Sequence, residues 1–238
     1  MTAKPKFAYN DGFKQHSGQP ICTGTSVIGV AFDKGVIIAA DMLASYGSMA
    51  RFRNIQRVAR VNDKTIIGCG GDYADYQFLM KYIEQRVIEE AAYEDSHQMS
   101  PSALHTWITR IQYNKRSKFD PLWCNWVVGG LNNDNKPFLG FVDKLGTAFS
   151  SPIIATGFGA HLATPMLREA TDAKNGVKFT EAEAVKLVQK CLEVLFYRDA
   201  RSWNRYQIAI VDDKGSRIEG PFKIESNWKF ADMIQGYE

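Results

Sequence analysis

The side chains of this 238-residue chain best suited to metal or thiol chemistry are not spaced to act together. Cys22, Cys69, Cys124 and Cys191 form no Cys-x-x-Cys pair and lie mostly in apolar runs, which reads as free buried thiols in a reducing compartment. The four histidines, His16, His97, His105 and His161, are remote from them in sequence, so no zinc or other metal centre and no cofactor is expected. Basic side chains gather at Lys115-Arg116-Ser117-Lys118, but Asp120 follows at once. The stretch reads as a solvated helix end or a protein contact, not as a nucleic-acid stripe.

The elements that must position any site are written in the apolar pattern. With 45% hydrophobic and 23% charged residues, and 29 basic against 26 acidic side chains, the composition suits one globular domain. No apolar run approaches the roughly 18 residues of a membrane span, and residues 1–24 lack the apolar core of a signal peptide. They read as an N-terminal arm, and residues 25–238 as a single domain. The location expected is cytoplasm and nucleus.

Residues 25–32 and 36–42 are β-branched, almost continuously apolar runs, so both strands should be covered on both faces. Asp33-Lys34-Gly35 joins them as a hairpin, with Gly35 available for positive φ. A strand pair at 57–61 and 65–69 follows. Asp72 then opens a helix whose Tyr76, Leu79, Met80, Ile83 and Val87 share one face. Ser100-Pro101 begins a second helix with Leu104, Trp107, Ile108 and Ile111 inward.

Strands are expected at 126–130, 138–143, 147–149 and 153–156. Next come helices over 159–169 and from Thr180, whose Thr-x-x-Glu pattern with Glu183 is a capping box. Strands 207–211 and 218–222 close the chain. Helices grouped in pairs between groups of strands argue against a doubly wound sheet. They fit an α+β fold of four layers, αββα, with two mainly antiparallel sheets between helical layers.

Several segments, taken in order, resemble proteasome β subunits: Thr23-Gly24-Thr25-Ser26, Gly35-Val36-Ile37-Ile38-Ala39-Ala40-Asp41, Gly70-Gly71-Asp72 and Tyr197-Arg198-Asp199-Ala200-Arg201-Ser202. The likeness runs from about Ser17 to the C-terminus and implies the Ntn-hydrolase form of the αββα sandwich. Ser45-Tyr46-Gly47-Ser48, Arg51-Phe52, Pro121-Leu122-Trp123, Ala155-Thr156-Gly157-Phe158-Gly159-Ala160 and Asn227-Trp228 narrow it to one non-catalytic paralogue of the ring.

Active members of that family use an N-terminal threonine whose hydroxyl attacks a carbonyl, helped by a lysine and by the threonine's own freed amine. By resemblance Thr25 is the nucleophile position behind the Gly24 junction, and Asp41, Gly71 (the oxyanion N–H), Asp199 and Ser202 are retained. The lysine position, thirty-two residues after Thr25, holds Arg57. A guanidinium, with pKa above about 12, cannot exchange a proton near neutrality. Phe158 stands where active members place a serine, and Trp203 where they place glycine; both are expected to crowd the pocket. Singly, Thr25, Asp41 and Asp199 also have structural readings: a strand start, a strand-end ion pair and a helix end. The family spacing makes them a relic site.

The resemblance implies stacked hetero-heptameric rings of α and β subunits as partners, with assembly factors, and no nucleic acid or membrane. It also implies trimming at His16-Ser17 by an active neighbour instead of self-cleavage before Thr25. Trp228, Lys229 and Phe230 suit either a subunit interface or core burial. Two other readings compete with a non-catalytic ring subunit: an active threonine peptidase using Thr25, and a free-standing binding protein on the same scaffold.

Overall fold

The computed structural model describes residues 18–95, 97–229, 231 and 236. The expected cut at His16-Ser17, Phe230 and most of the C-terminal tail lie outside them.

The chain opens with β1 (Cys22–Gly24), β2 (Val27–Phe32), β3 (Gly35–Asp41), β4 (Ala44–Tyr46), β5 (Met49–Phe52), β6 (Val58–Asn62) and β7 (Thr65–Asp72). Helices α1 (Tyr73–Ala91) and α2 (Pro101–Ser117) follow, then β8 (Cys124–Leu131), β9 (Pro137–Val142), β10 (Ala148–Ser150) and β11 (Ile153–Ala155). Helices α3 (Gly159–Ala173) and α4 (Glu181–Arg198) precede β12 (Arg205–Asp212) and β13 (Gly215–Lys223). One sheet runs β10-β9-β8-β7-β1-β4-β5 with β6 also on β7; the other runs β11-β2-β3-β12-β13. Every described pairing is antiparallel.

Three apolar cores hold four layers together. Ile67, Trp126 and Val128 meet Leu79, Ile83, Leu104 and Ile108 beneath α1 and α2. Val27, Val36, Ile38, Ile66 and Val127 fill the space between the sheets. Ile28, Ile37 and Ile208 meet Leu167, Val188 and Leu192 beneath α3 and α4. Strand β3 is buried along its whole length, as its continuous apolar run requires.

The helix starts follow their caps. Asp72 accepts the Ala74 and Asp75 N–H groups, Ser100 that of Ala103, and Thr180 and Glu183 form the reciprocal capping box. Gly35 departs from expectation: its φ is not positive. A Cβ there would lie 1.9 Å from the Val211 carbonyl oxygen, so close approach of β12 is what demands glycine. Strands β1, β4 and β5 are additional to those expected. The sheet therefore begins upstream of Thr25, and the 57–61 strand is shifted to Val58–Asn62, which leaves Arg57 outside it.

Candidate functional site

Thr25 and Ser26 are the two residues by which the chain crosses from one sheet to the other, between β1 and β2. On one edge of β7, β6 pairs with Val58 opposite Gly68, and β1 pairs with Gly24 opposite Gly71. Arg57 fills the interval. Its carbonyl accepts the Cys69 N–H at 2.9 Å, and its Nη1 donates to the Cys69 carbonyl at 3.2 Å.

The Arg57 side chain, 2% exposed, uses every N–H of its guanidinium. Nε donates to the Asp41 carbonyl at 3.0 Å. Nη1 donates to the carbonyls of Thr25 (3.0 Å) and Cys69, and Nη2 to the Ser26 carbonyl (3.1 Å) and the Asp41 carboxylate. These bonds tie the crossing to β3 and β7. They also explain Gly24, since a Cβ there would stand 2.4 Å from Arg57 Cδ.

Asp41, at the end of β3, is held from three sides: the Arg57 guanidinium, the Trp203 N–H at 2.9 Å and the Leu43 N–H. Burial leaves its carboxyl above the ordinary carboxylate value, and Arg57 and the two N–H groups offset that rise only in part. The guanidinium cannot lose its proton, so the buried cation keeps a carboxylate beside it.

The Thr25 hydroxyl donates to Asp199 Oδ2 at 2.5 Å, and the other Asp199 oxygen accepts the Arg201 N–H at 2.9 Å. Thr25, Asp41, Arg57 and Asp199 are thus gathered. Ser202 stands one step back, its hydroxyl on the Leu195 and Asp199 carbonyls at the end of α4. Gly71 has φ 98°, and a Cβ would lie 2.1 Å from the Trp123 carbonyl, so only glycine fits. Its edge is taken by β1, which is fixed further by the Ile21 N–H on Asp72 Oδ2 at 2.8 Å.

The two bulky residues differ from the crowding expected of them. Phe158 is 46% exposed, with its ring edge-on to His161, so it reaches solvent. Because it offers α3 no side-chain cap, Ser26 Oγ accepts the Gly159 N–H at 2.8 Å instead. Trp203 meets the site through its backbone; its ring lies 5.0 Å beneath the Arg53 guanidinium. Ser26, Thr156 (whose Oγ1 accepts the Val27 N–H at 2.9 Å) and Asp72 were not singled out as site residues by sequence reasoning. All three lie within the segments that carry the family resemblance, and Asp72 also carried a helix-cap signal. Among the described residues no cluster of possible metal ligands occurs, and no helix is long and apolar enough to cross a membrane.

Residues 21–211 match the family model described as "Proteasome subunit". The chain is 55% identical over 224 residues to "Proteasome subunit beta type-4" of Xenopus laevis, covering 94% of this chain and 91% of that protein. It is 44% identical to the protein of the same name from Drosophila melanogaster, with 94% and 82% covered. It is 40% identical to "Proteasome subunit beta type-7" of Saccharomyces cerevisiae, with 92% and 85% covered.

Proposed function

This chain belongs to the proteasome subunit family, and from that premise we propose that it fills its place in the β ring without hydrolysing peptides itself. It is a β subunit of the non-catalytic type and assembles with other proteasome subunits. The observation that carries its inactivity is the saturation of Arg57. A residue that must pass protons needs a free donor or acceptor near the nucleophile, and all five guanidinium N–H groups here are spent on four backbone carbonyls and the Asp41 carboxylate.

One further feature supports the reading, and it holds while Gly24 and Thr25 stay joined, when the Thr25 nitrogen is an amide with no basicity to offer. The β7 edge at Gly71, where a substrate's carbonyl oxygen would need an N–H, lies against β1. Thr25, Asp41, Gly71, Asp199 and Ser202 persist as the frame of a threonine-peptidase site, and their present work is to join two sheets. An active peptidase working through Thr25 is not favoured.

In this reading the chain contributes interface area to stacked seven-membered rings, closes the proteolytic chamber, meets assembly factors on the way and resides in cytoplasm and nucleus. The arm upstream of β1 is trimmed near His16-Ser17 by an active neighbour; the expected boundary at residue 24 moves back, because Cys22–Gly24 is a strand of the domain's sheet. Intact-mass measurement and N-terminal sequencing of the chain from assembled particles test this. A start upstream of Gly24 with no labelling by a threonine-directed electrophile is expected; a start at Thr25 with labelling would overturn it.

A further inference from the structure

Helix α2 ends in a Schellman stop: Lys118 is the C-cap, the Phe119 N–H donates to the Arg116 carbonyl and the Asp120 N–H to the Lys115 carbonyl, both at 3.1 Å. The residue after such a C-cap is usually glycine, because a side chain in the left-handed conformation crowds its own backbone. Here it is Phe119, at φ 57°, and its side chain is 91% exposed. Backbone conformation and solvent contact both disfavour a phenylalanine at this point in the chain alone.

The surroundings form a patch. The Arg116 guanidinium lies 5.5 Å from the ring centre of the exposed Tyr113. The loop after β9 is pressed against the same turn of α2, where a Cβ on Gly146 would stand 2.9 Å from Tyr113 Cα; exposed Leu145 adjoins it. Carboxylates nearby are already engaged: Asp120 pairs with Lys115, and Asp143 accepts the N–H groups of Leu145 and Thr147. Arg116 and Lys118 carry no ion pair among the described residues.

We propose that Phe119 is an anchor that inserts into an apolar pocket on a different, neighbouring subunit of the particle, with carboxylates on that pocket's rim meeting Arg116 and Lys118. The inference rests on the β-ring reading. The protruding ring supplies apolar area at the centre of the contact, and the two cations select an acidic rim.

The test is competitive incorporation of tagged full-length chain against untagged wild-type chain, both expressed with the remaining subunits. Phe119→Gly should enter the particle about tenfold less well, as expected when a buried aromatic anchor is removed. Amide exchange at the end of α2 in the full chain should be unchanged or slower, because glycine relaxes the left-handed residue. Phe119→Leu should keep most incorporation, and Arg116→Glu with Lys118→Glu should lose it to a similar degree. A photo-crosslinking phenylalanine analogue at position 119 should join the chain to a different proteasome subunit.

Equal incorporation of Phe119→Gly, or a loss accompanied by faster exchange throughout the chain, would overturn the proposal. So would crosslinking only to a second copy of this chain, or to nothing in the particle. If tagged wild-type chain itself stays outside the particle, the β-ring reading fails first; a wild-type chain that enters normally beside an indifferent Phe119→Gly removes the anchor alone.

Discussion

At position 57 arginine and lysine differ in geometry as well as in proton affinity. A lysine offers three donors on one nitrogen, whereas the Arg57 fork reaches the carbonyls of Thr25, Ser26, Asp41 and Cys69 and the Asp41 carboxylate together. Arg57→Lys should therefore leave at least two of these five acceptors without their side-chain donor and destabilise the chain by about 2–4 kcal/mol. It should give no peptide hydrolysis while Gly24 and Thr25 stay joined. Denaturant unfolding of the chain and fluorogenic-peptide turnover by particles containing the variant measure the two expectations; turnover gained through Arg57→Lys alone would contradict the account.

The resemblance to proteasome β subunits grouped Thr25, Asp41, Arg57 and Asp199, and the structure brings these four side chains together. The wiring of the site was not legible in the sequence. That the Arg57 stem requires Gly24, or that Ser26 caps α3 in place of Phe158, depends on side-chain directions and on partners as far as 133 residues apart. The outward course of the Phe158 and Trp203 rings is hidden from sequence for the same reason.

Among the elements, the four helices and the long strands announced themselves through period and punctuation. Strands β1, β4 and β5 did not; they are strands by virtue of β7 and of one another. The capping box at the start of α4 carries a pH signature. The Lys174 ammonium, the Thr180 N–H and the Thr180 hydroxyl hold the Glu183 carboxyl down to about 2. A carboxyl whose folded value is depressed stabilises above its unfolded value and loses that stabilisation as pH falls through the folded one. Glu183→Gln keeps an acceptor but not the charge. The difference in thermal midpoint between wild type and Glu183→Gln should thus be full above about pH 5 and shrink toward pH 2. A difference independent of pH would assign the cap's effect to packing alone.

Across the whole molecule, the distance between the two sheets is set by glycines facing branched side chains. A Cβ on Gly68 would lie 2.7 Å from both Ile38 Cγ2 and Val27 Cγ1, and one on Gly129 would lie 2.7 Å from Val36 Cγ1. Gly68→Ala or Gly129→Ala should force the layers apart and destabilise by about 1–3 kcal/mol. Unfolding midpoints would show it, and an unchanged midpoint for both would mean that the central core is more yielding than its packing indicates.

The crossing at Thr25 and Ser26 also has a mechanical meaning. Tension applied along Gln19 and Pro20 meets first the Ile21 bond to Asp72, then the backbone ladders of β1 with β4 and β7, and then the Arg57 clamp on the Thr25 and Ser26 carbonyls. These attachments lie in series along the chain ahead of the buried strand β2. A neighbour that grips the arm can therefore pull against an anchorage that bears the load before the central core feels it.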